Sequence, residues 1–171
     1  MPIEQSRDPQ QFSDFERSGW DRNISGYDSA FGAVARQTVP SMLDAARVMH
    51  GMRVLDVCCG PAMLAVAALE RGAEVVGLDF SVRAVELARK LVPTGRFEQG
   101  DAQALPFPEA SFDAVLCGYG LMHCQIPPRQ CAKWFASCAL EAERRSAFGT
   151  QLVLVLAWSM KRFVPAAVLI M

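Results

Sequence analysis

Short apolar runs of strand length alternate with segments of helical periodicity along most of the chain. The runs are nearly continuous in apolar residues, which is typical of strands that are buried on both faces of a parallel sheet. Pro61 and Ser81 stand where helices begin, and Gly72 stands where one ends. We therefore expect strands over 53–58, 73–78, 95–99, 112–117 and 151–158, and helices over 29–50, 61–71, 82–91 and 129–145.

This alternation predicts an α/β fold. Because the crossover between parallel strands is right-handed, we expect a doubly wound, Rossmann-like, mainly parallel sheet of about five strands. In the first helix, Pro40 is expected to introduce a kink and Gly51 to mark the end. The whole chain, 1–171, is expected to form a single domain with an N-terminal cap or arm over 1–27, an α/β core over 28–158 and an apolar tail over 159–171.

Composition and charge narrow the class of protein. Hydrophobic residues make up 51% of the 171 positions and charged residues 20%, which is the composition of a folded domain. The formal net charge of −1 provides no basic field, so no nucleic-acid partner is expected. Lys161 and Arg162 interrupt the apolar C-terminal stretch, so no membrane-spanning segment is expected either.

The six cysteines do not form the pattern of a disulfide framework, and the first residues lack the layout of a secretory signal. We therefore expect a reducing, cytoplasmic location. Cys124, Cys131 and Cys138 recur every seven residues, which would place them on one helical face. No CxxC pair accompanies them, so the spacing of metal ligands is missing and no metal site is expected.

Four candidate ligand-binding segments follow the first four predicted strands. The turn 56–62 leads from the first strand into a helix, Asp79 ends the second strand, Asp101 follows the third, and the segment 118–124 follows the fourth. The carboxyl ends of parallel strands lie at one edge of a sheet, where ligands bind. Asp79 also follows Asp56 at roughly the offset of about 20 residues that is expected of an acid accepting from ribose hydroxyls.

Each of these residues also has a purely structural interpretation. Gly60 is explained equally by an ordinary turn, and Asp79 by its place beside a helix cap. Asp101 is explained by a cap of the following loop, and His123 by a hydrogen-bonded, partly buried imidazole. Their arrangement after four consecutive strands favours a shared site, because independent structural accidents do not predict that order.

Three stretches together resemble the motifs of class I S-adenosylmethionine-dependent methyltransferases, in particular the branch that includes ubiquinone- and menaquinone-type enzymes. They are VLDVCCGPA, GLDFS and GDAQALPFPEASFDAV, and the resemblance covers about 100 residues from Val54 onward. It implies S-adenosylmethionine as the cofactor and methyl transfer to a small-molecule acceptor as the activity.

The resemblance also implies roles for individual residues. Asp56 and the backbone of the turn that follows it would hold the methionine part of the cofactor. Asp79 would accept hydrogen bonds from the ribose hydroxyls, Phe80 would pack against the adenine, and Asp101 and Ala102 would bind the adenine edge. The full set of implied cofactor contacts is Asp56, Cys58, Cys59, Gly60, Asp79, Phe80, Asp101, Ala102 and Gly118.

The substrate side of the site is implied less completely. Gly118 and Tyr119 would line the site of methyl transfer, and Tyr27 would close over it from the N-terminal arm. His123 is the only histidine near the expected site, and an acceptor that needs a base would use it.

The sequence departs from this family's pattern at two places. Cys58 and Ala62 occupy two of the three glycine positions of the first motif, and alanine costs on the order of 1 kcal/mol if the backbone there has positive φ. After Trp158 too few residues remain for the antiparallel hairpin that ends the family's sheet. We therefore expect a truncated sheet that lacks the hairpin, with the fifth strand as an exposed edge open to self-association.

The sequence has two alternative interpretations besides a methyltransferase. A truncated relative that binds the cofactor weakly, or only a partner chain, without turnover is the main alternative to a methyltransferase. A nicotinamide-dependent oxidoreductase would carry G-x-G-x-x-G after the first strand, whereas this chain has CCGPAM there.

Overall fold

The fold is described from a computed structural model, in which residues 9–120, 123–124, 153–156 and 167–168 are described. Over this part of the chain, six strands form one sheet in the order β3-β2-β1-β4-β5-β6. Neighbouring strands are parallel from β3 through β5, and β6 is antiparallel to β5. The strands are β1 (Arg53–Val57), β2 (Glu74–Asp79), β3 (Arg96–Gln99), β4 (Ala114–Gly118), β5 (Val153–Leu156) and β6 (Ala167–Val168).

Helices and helical turns connect and cover these strands. The described α-helices are α1 (Pro9–Asn23), α2 (Ala33–Ala45), α3 (Met63–Glu70) and α4 (Val82–Leu91). Between α1 and α2 lie a 3-10 turn, Ile24–Gly26, and a π-helical turn, Asp28–Gly32; a second 3-10 turn, Ala102–Ala104, follows β3. None of the described helices is long and apolar enough to cross a bilayer.

The doubly wound, mainly parallel α/β fold expected from the sequence is confirmed. Residues in β1 point alternately to two apolar clusters, one on each face of the sheet. Val54 packs with α2, α3 and α4 on one face, while Leu55 and Val57 pack with Phe112 and Val115 on the other. Burial on both faces explains why the strands appear as continuous apolar runs.

Most local signals in the sequence correspond to observed features. The Ser81 hydroxyl caps α4 by accepting from the Ala84 N–H at 3.1 Å. Gly72 follows α3 with φ of +80°, a conformation that glycine adopts without strain. The first core helix, α2, contains Pro40 as expected but ends at Ala45 and not at Gly51, because the chain turns through a left-handed Arg47 (φ 48°).

The end of the sheet differs from the expectation. Two residues of the apolar tail form β6, which pairs with β5 through Val155 with Val168 and Leu156 with Ala167. At these two positions β5 is paired and is not an open edge, contrary to the expectation of an exposed fifth strand. The described residues contain one two-residue strand here and not a two-stranded hairpin, which agrees with the expected lack of that hairpin. The predicted helix over 129–145 and the ends of the predicted strand over 151–158 lie outside the described residues.

The turn between β1 and α3 is unusual in its backbone. Cys58, Gly60 and Ala62 all have positive φ, at 57°, 50° and 65°. These are the three positions at which the first family motif carries glycine, and only Gly60 adopts such angles without a Cβ penalty. The sequence therefore keeps the glycine turn while placing Cβ atoms at two of its three left-handed positions.

This turn gives a stability prediction. Ala62→Gly removes a left-handed alanine, whereas the control Ala67→Gly introduces glycine into the interior of α3, where it costs about 1 kcal/mol. We expect Ala62→Gly to be more stable than Ala67→Gly by about 1–2 kcal/mol, measured by urea unfolding. Equal losses in both variants would show that the Ala62 backbone carries no strain.

Candidate functional site

From β1 the chain adds β2 and β3 on one side of the sheet and then β4 and β5 on the other side. A doubly wound sheet binds ligands at this switch point, between β1 and β4. A cavity of about 400 Å³ opens at the carboxyl ends of these two strands, beneath the segment from α1 to α2. A smaller cavity lies toward the segment after β3, and both cavities are lined by Cys58, Asp79 and His123. The two cavities are therefore adjacent parts of one site.

The larger cavity gathers most of the residues expected from the sequence. Its wall includes Tyr27, Asp56, Cys58, Cys59, Gly60, Asp79, Gly118, Tyr119 and His123. Phe80, Asp101 and Ala102 line the smaller cavity instead. The structure thus brings all twelve candidate residues to one edge of the sheet. Tyr27 reaches this edge from the N-terminal segment, and the other eleven lie at or after the ends of consecutive parallel strands, as expected.

The Asp79 carboxylate ties two loops of the site together. Its Oδ2 accepts from the Gly60 N–H and its Oδ1 accepts from the Ser81 N–H, each at 2.9 Å. Asp79 is only 6% exposed, and this burial raises the pKa of its carboxyl group, as does the charge of Asp21, while the hydrogen bonds from the Ser81 and Gly60 backbone lower it. Asp79 therefore anchors the turn after β1 and the start of α4, and it also faces the cavity.

Asp56 is the most unusual polar group in the wall. It is 1% exposed, and neither of its carboxyl oxygens accepts a hydrogen bond from the described part of the chain. Burial raises the pKa of Asp56 to about 8, and the charge of Asp79 acts in the same direction. The backbone N–H of Ala65 lowers the pKa, although it lies outside hydrogen-bond geometry. A buried, unpaired carboxyl group beside a cavity is a candidate to bind a cationic group or a hydrogen-bond donor of a ligand.

The segment after β3 provides the outer part of the site. Asp101 is exposed, and its Oδ1 accepts from the Gln103 N–H at 2.8 Å, which caps the 3-10 turn. Ala102 is buried within that turn, and Phe80 is half-buried beside it at the end of β2. The structural role of Asp101 as a cap is therefore real, and the carboxylate remains accessible from the smaller cavity.

The opposite wall contains the two tyrosines of the chain. The Tyr119 hydroxyl donates to Thr38 Oγ1 at 3.2 Å, and Tyr119 has a left-handed backbone, with φ of 64°. Burial raises the pKa of Tyr27, with smaller contributions from Tyr119 and Asp56. Gly118 leaves room beside this wall, since a Cβ there would lie 2.9 Å from the Leu64 side chain.

The N-terminal helix α1 covers the site more specifically than its sequence indicated. Trp20 lies in the cavity wall, with its ring centroid 5.6 Å from Tyr27 and 5.0 Å from His123. Glu16 Oε2 lies 2.7 Å from His123 Nδ1. The sequence predicted only a cap or arm over 1–27, and no local signal marked Glu16 or its contact with His123.

Several cysteines lie close together at the same edge. Cys58 Sγ is 3.9 Å from Cys124 Sγ, and hydrogen bonds with the thiols of Cys117 and Cys124, together with burial, raise the pKa of Cys58. Among the described residues, no group of three or more histidine, cysteine or acidic side chains could hold a metal ion. Cys131 and Cys138, which were expected on a helical face with Cys124, lie outside the described residues.

Comparison with known proteins identifies relatives with matching sequence. A family model described as a methyltransferase domain matches residues 54–140. The demethylmenaquinone methyltransferase of Renibacterium salmoninarum is 37% identical over 92 residues, and that of Deinococcus radiodurans is 46% identical over 74 residues. These matches cover 54% and 40% of this chain, but only 39% and 31% of the relatives' lengths.

Solved structures share the fold. The YcgJ protein of Bacillus subtilis superposes with a TM-score of 0.60 at 25% identity, covering 70% of this chain and 50% of that one. A putative S-adenosylmethionine-dependent methyltransferase of Methanococcus maripaludis reaches a TM-score of 0.66 at 14% identity, covering 82% and 64%. The family model, the curated relatives and the fold agree: the chain belongs to the methyltransferase domain family and has the class I fold of S-adenosylmethionine-dependent methyltransferases.

Proposed function

We propose that this protein is an S-adenosylmethionine-dependent methyltransferase that acts on a small, largely apolar acceptor. The observation that carries the proposal is the pair of unpartnered Asp56 carboxyl oxygens in the wall of a cavity at the switch point of the sheet. The relatives' names support methyl transfer over a binding protein without turnover. The free cysteines at the site fit a reducing, cytoplasmic location.

The residues of the inner wall fit the methionine part of the cofactor. An amino acid carries an ammonium group, and Asp56 is a buried carboxyl group without a hydrogen-bond partner in the described part of the chain. Ion pairing with an ammonium would compensate the cost of burying that carboxylate. The glycine turn beside it, at Cys58, Cys59 and Gly60, brings backbone close to the same cavity.

The outer residues fit the nucleoside part. Asp79 uses one lone pair on each oxygen for the backbone, so each oxygen retains acceptor capacity for a ribose hydroxyl. Phe80 offers an apolar surface for the adenine, and Asp101 offers an accessible acceptor for its amino group. The Ala102 backbone lies in the same turn and completes the proposed adenine contact.

The chain's own contribution to the reaction is alignment, exclusion of water and proton transfer. When bound, S-adenosylmethionine supplies a methyl group that its sulfonium already activates. Trp20 and Tyr27 close the cavity from the cap, which excludes water from the reacting atoms. His123 lies in the wall shared by both cavities and would take the proton of an acceptor that is not already ionised.

The cap side of the cavity indicates an apolar acceptor. Apart from Thr38, the segment from α1 to α2 contributes mainly hydrophobic wall residues, among them Ile24, Phe31 and Val34. Phe31 is 60% exposed and Val34 is 50% exposed, so apolar surface continues to the rim of the cavity. The matched relatives are named for a quinone substrate, and an aromatic acceptor would suit this wall as well.

Titration with S-adenosylhomocysteine tests the cofactor site. Asp79→Ala removes an acceptor of two ribose hydroxyls and is expected to weaken binding by ~1.5–3 kcal/mol, or roughly 10- to 150-fold, in calorimetry. Asp101→Ala removes one accessible contact and should weaken binding less. Asp113→Ala is the matched control, since Asp113 also accepts a backbone N–H, from Arg53 at 2.8 Å, but does so at the amino end of β4.

The control separates cofactor binding from folding. Asp79→Ala leaves two backbone N–H groups without their carboxylate and Asp113→Ala leaves one, so both should lower the urea midpoint, Asp79→Ala more. Only Asp79→Ala should lower the affinity for S-adenosylhomocysteine. No binding by the wild-type protein, or equal affinity in all three proteins, would contradict the proposed cofactor role.

Proton release on binding tests the role of Asp56. With its pKa at about 8, the carboxyl group is mostly protonated at pH 7 in the free protein, whereas an ammonium partner favours the carboxylate. Binding of S-adenosylhomocysteine should therefore release a proton at pH 7, and its affinity should rise as the pH increases toward 8. Calorimetry in buffers of different ionisation enthalpy measures the release, and Asp56→Asn should abolish both effects.

A further inference from the structure

Helix α1 is fastened across the site by three polar contacts, each to a segment that follows a different strand. Asp21 Oδ1 accepts from the Ser81 hydroxyl after β2, and Ser13 Oγ accepts from Gln103 Nε2 after β3. Glu16 pairs with His123 after β4. The position of Glu16 is thus fixed from both directions along its helix, and its carboxylate is held against the imidazole.

The contact with Glu16 fixes the orientation of the His123 imidazole. Glu16 Oε2 is 2.7 Å from His123 Nδ1, and the two side chains are only 18% and 28% exposed. The Trp20 ring meets the imidazole edge-on, at 83° between the planes, which restricts rotation of the ring. A carboxylate only accepts hydrogen bonds, so Nδ1 carries the hydrogen and, in the neutral ring, Nε2 carries the lone pair.

We propose that Glu16 is a positioning residue that holds His123 in the Nδ1–H tautomer, so that Nε2 is the atom that accepts a proton during methyl transfer. The part played by Nε2 rests on the proposed function, whereas the tautomer does not. The carboxylate would also stabilise the imidazolium that forms when Nε2 takes up the proton.

The proton and electron pairs balance in this step. The acceptor's hydroxyl or amine gives its proton to Nε2, and its lone pair forms the bond to the methyl carbon. The electrons of the broken carbon–sulfur bond stay on sulfur, which becomes a neutral thioether, and the imidazolium returns its proton to water. Because Glu16 belongs to the cap, the imidazole is oriented only while α1 is docked over the cavity.

Nitrogen-15 NMR of labelled histidine tests the tautomer directly, because the chain contains only His50 and His123. Spectra are recorded on the free protein at about pH 8.5, where an ordinary imidazole is neutral. His123 should show the Nδ1–H pattern in the wild-type protein and in Glu16→Gln, whose amide oxygen can still accept from Nδ1. Glu16→Ala should convert His123 to the Nε2–H pattern that unconstrained imidazole prefers in water.

The controls keep the test decisive. Asp14→Ala changes an exposed acid on the same helix, which accepts from its helix neighbours Gln10 and Arg17, and should leave the His123 pattern unchanged. An Nε2–H pattern in the wild-type protein overturns the proposal, and so does an unchanged Nδ1–H pattern in Glu16→Ala. If Glu16→Ala does not fold, loss of the Nδ1–H pattern in Glu16→Gln overturns it, and retention supports it.

The test is independent of cofactor binding. A protein that shows the expected tautomers but does not bind S-adenosylhomocysteine would contradict the proposed function and leave the Glu16–His123 arrangement supported. A protein that binds S-adenosylhomocysteine but shows the wrong tautomer would overturn the role of Glu16 alone.

Discussion

The hydrogen bonds that Asp79 accepts from Gly60 and Ser81 hold the site together. They join the turn after β1 to the start of α4, so two neighbouring loops of the sheet edge share one buried carboxylate. The turn is strained at Cys58 and Ala62, whose backbones are left-handed. A charge-assisted anchor compensates for such strain, and the same carboxylate then faces the cavity that the turn shapes.

Asp56, in contrast to Asp79, is a buried carboxyl group that destabilises the free protein. It is placed by a central strand, its neighbours Leu55 and Val57 are fully buried, and its carboxyl oxygens have no hydrogen-bond partner in the described part of the chain. Such a group lowers the stability of the free protein, since its pKa of about 8 means that ionisation in place is unfavourable. A cationic ligand would relieve this cost, which links a destabilising feature of the fold to binding.

The cap completes the site from the other end of the chain. Helix α1 supplies Trp20 to the cavity wall and contacts the segments after β2, β3 and β4. The strand ends position the residues of the proposed cofactor side, while the cap closes the proposed acceptor side. One fold supports many different reactions, so the reaction depends on the residues of the site and not on the fold alone.

The sequence alone determined the alternation of strands and helices, the parallel sheet and the four segments at its carboxyl edge. These follow from local periodicity and from the rule that parallel strands end at the same side. Three features were decided only by the tertiary structure: the left-handed backbone of Cys58 and Ala62, the pairing of β6 with β5, and the contact between Glu16 and His123. That last contact joins residues 107 positions apart, and no local pattern encodes such a distance; it exists because α1 folds back across the sheet edge.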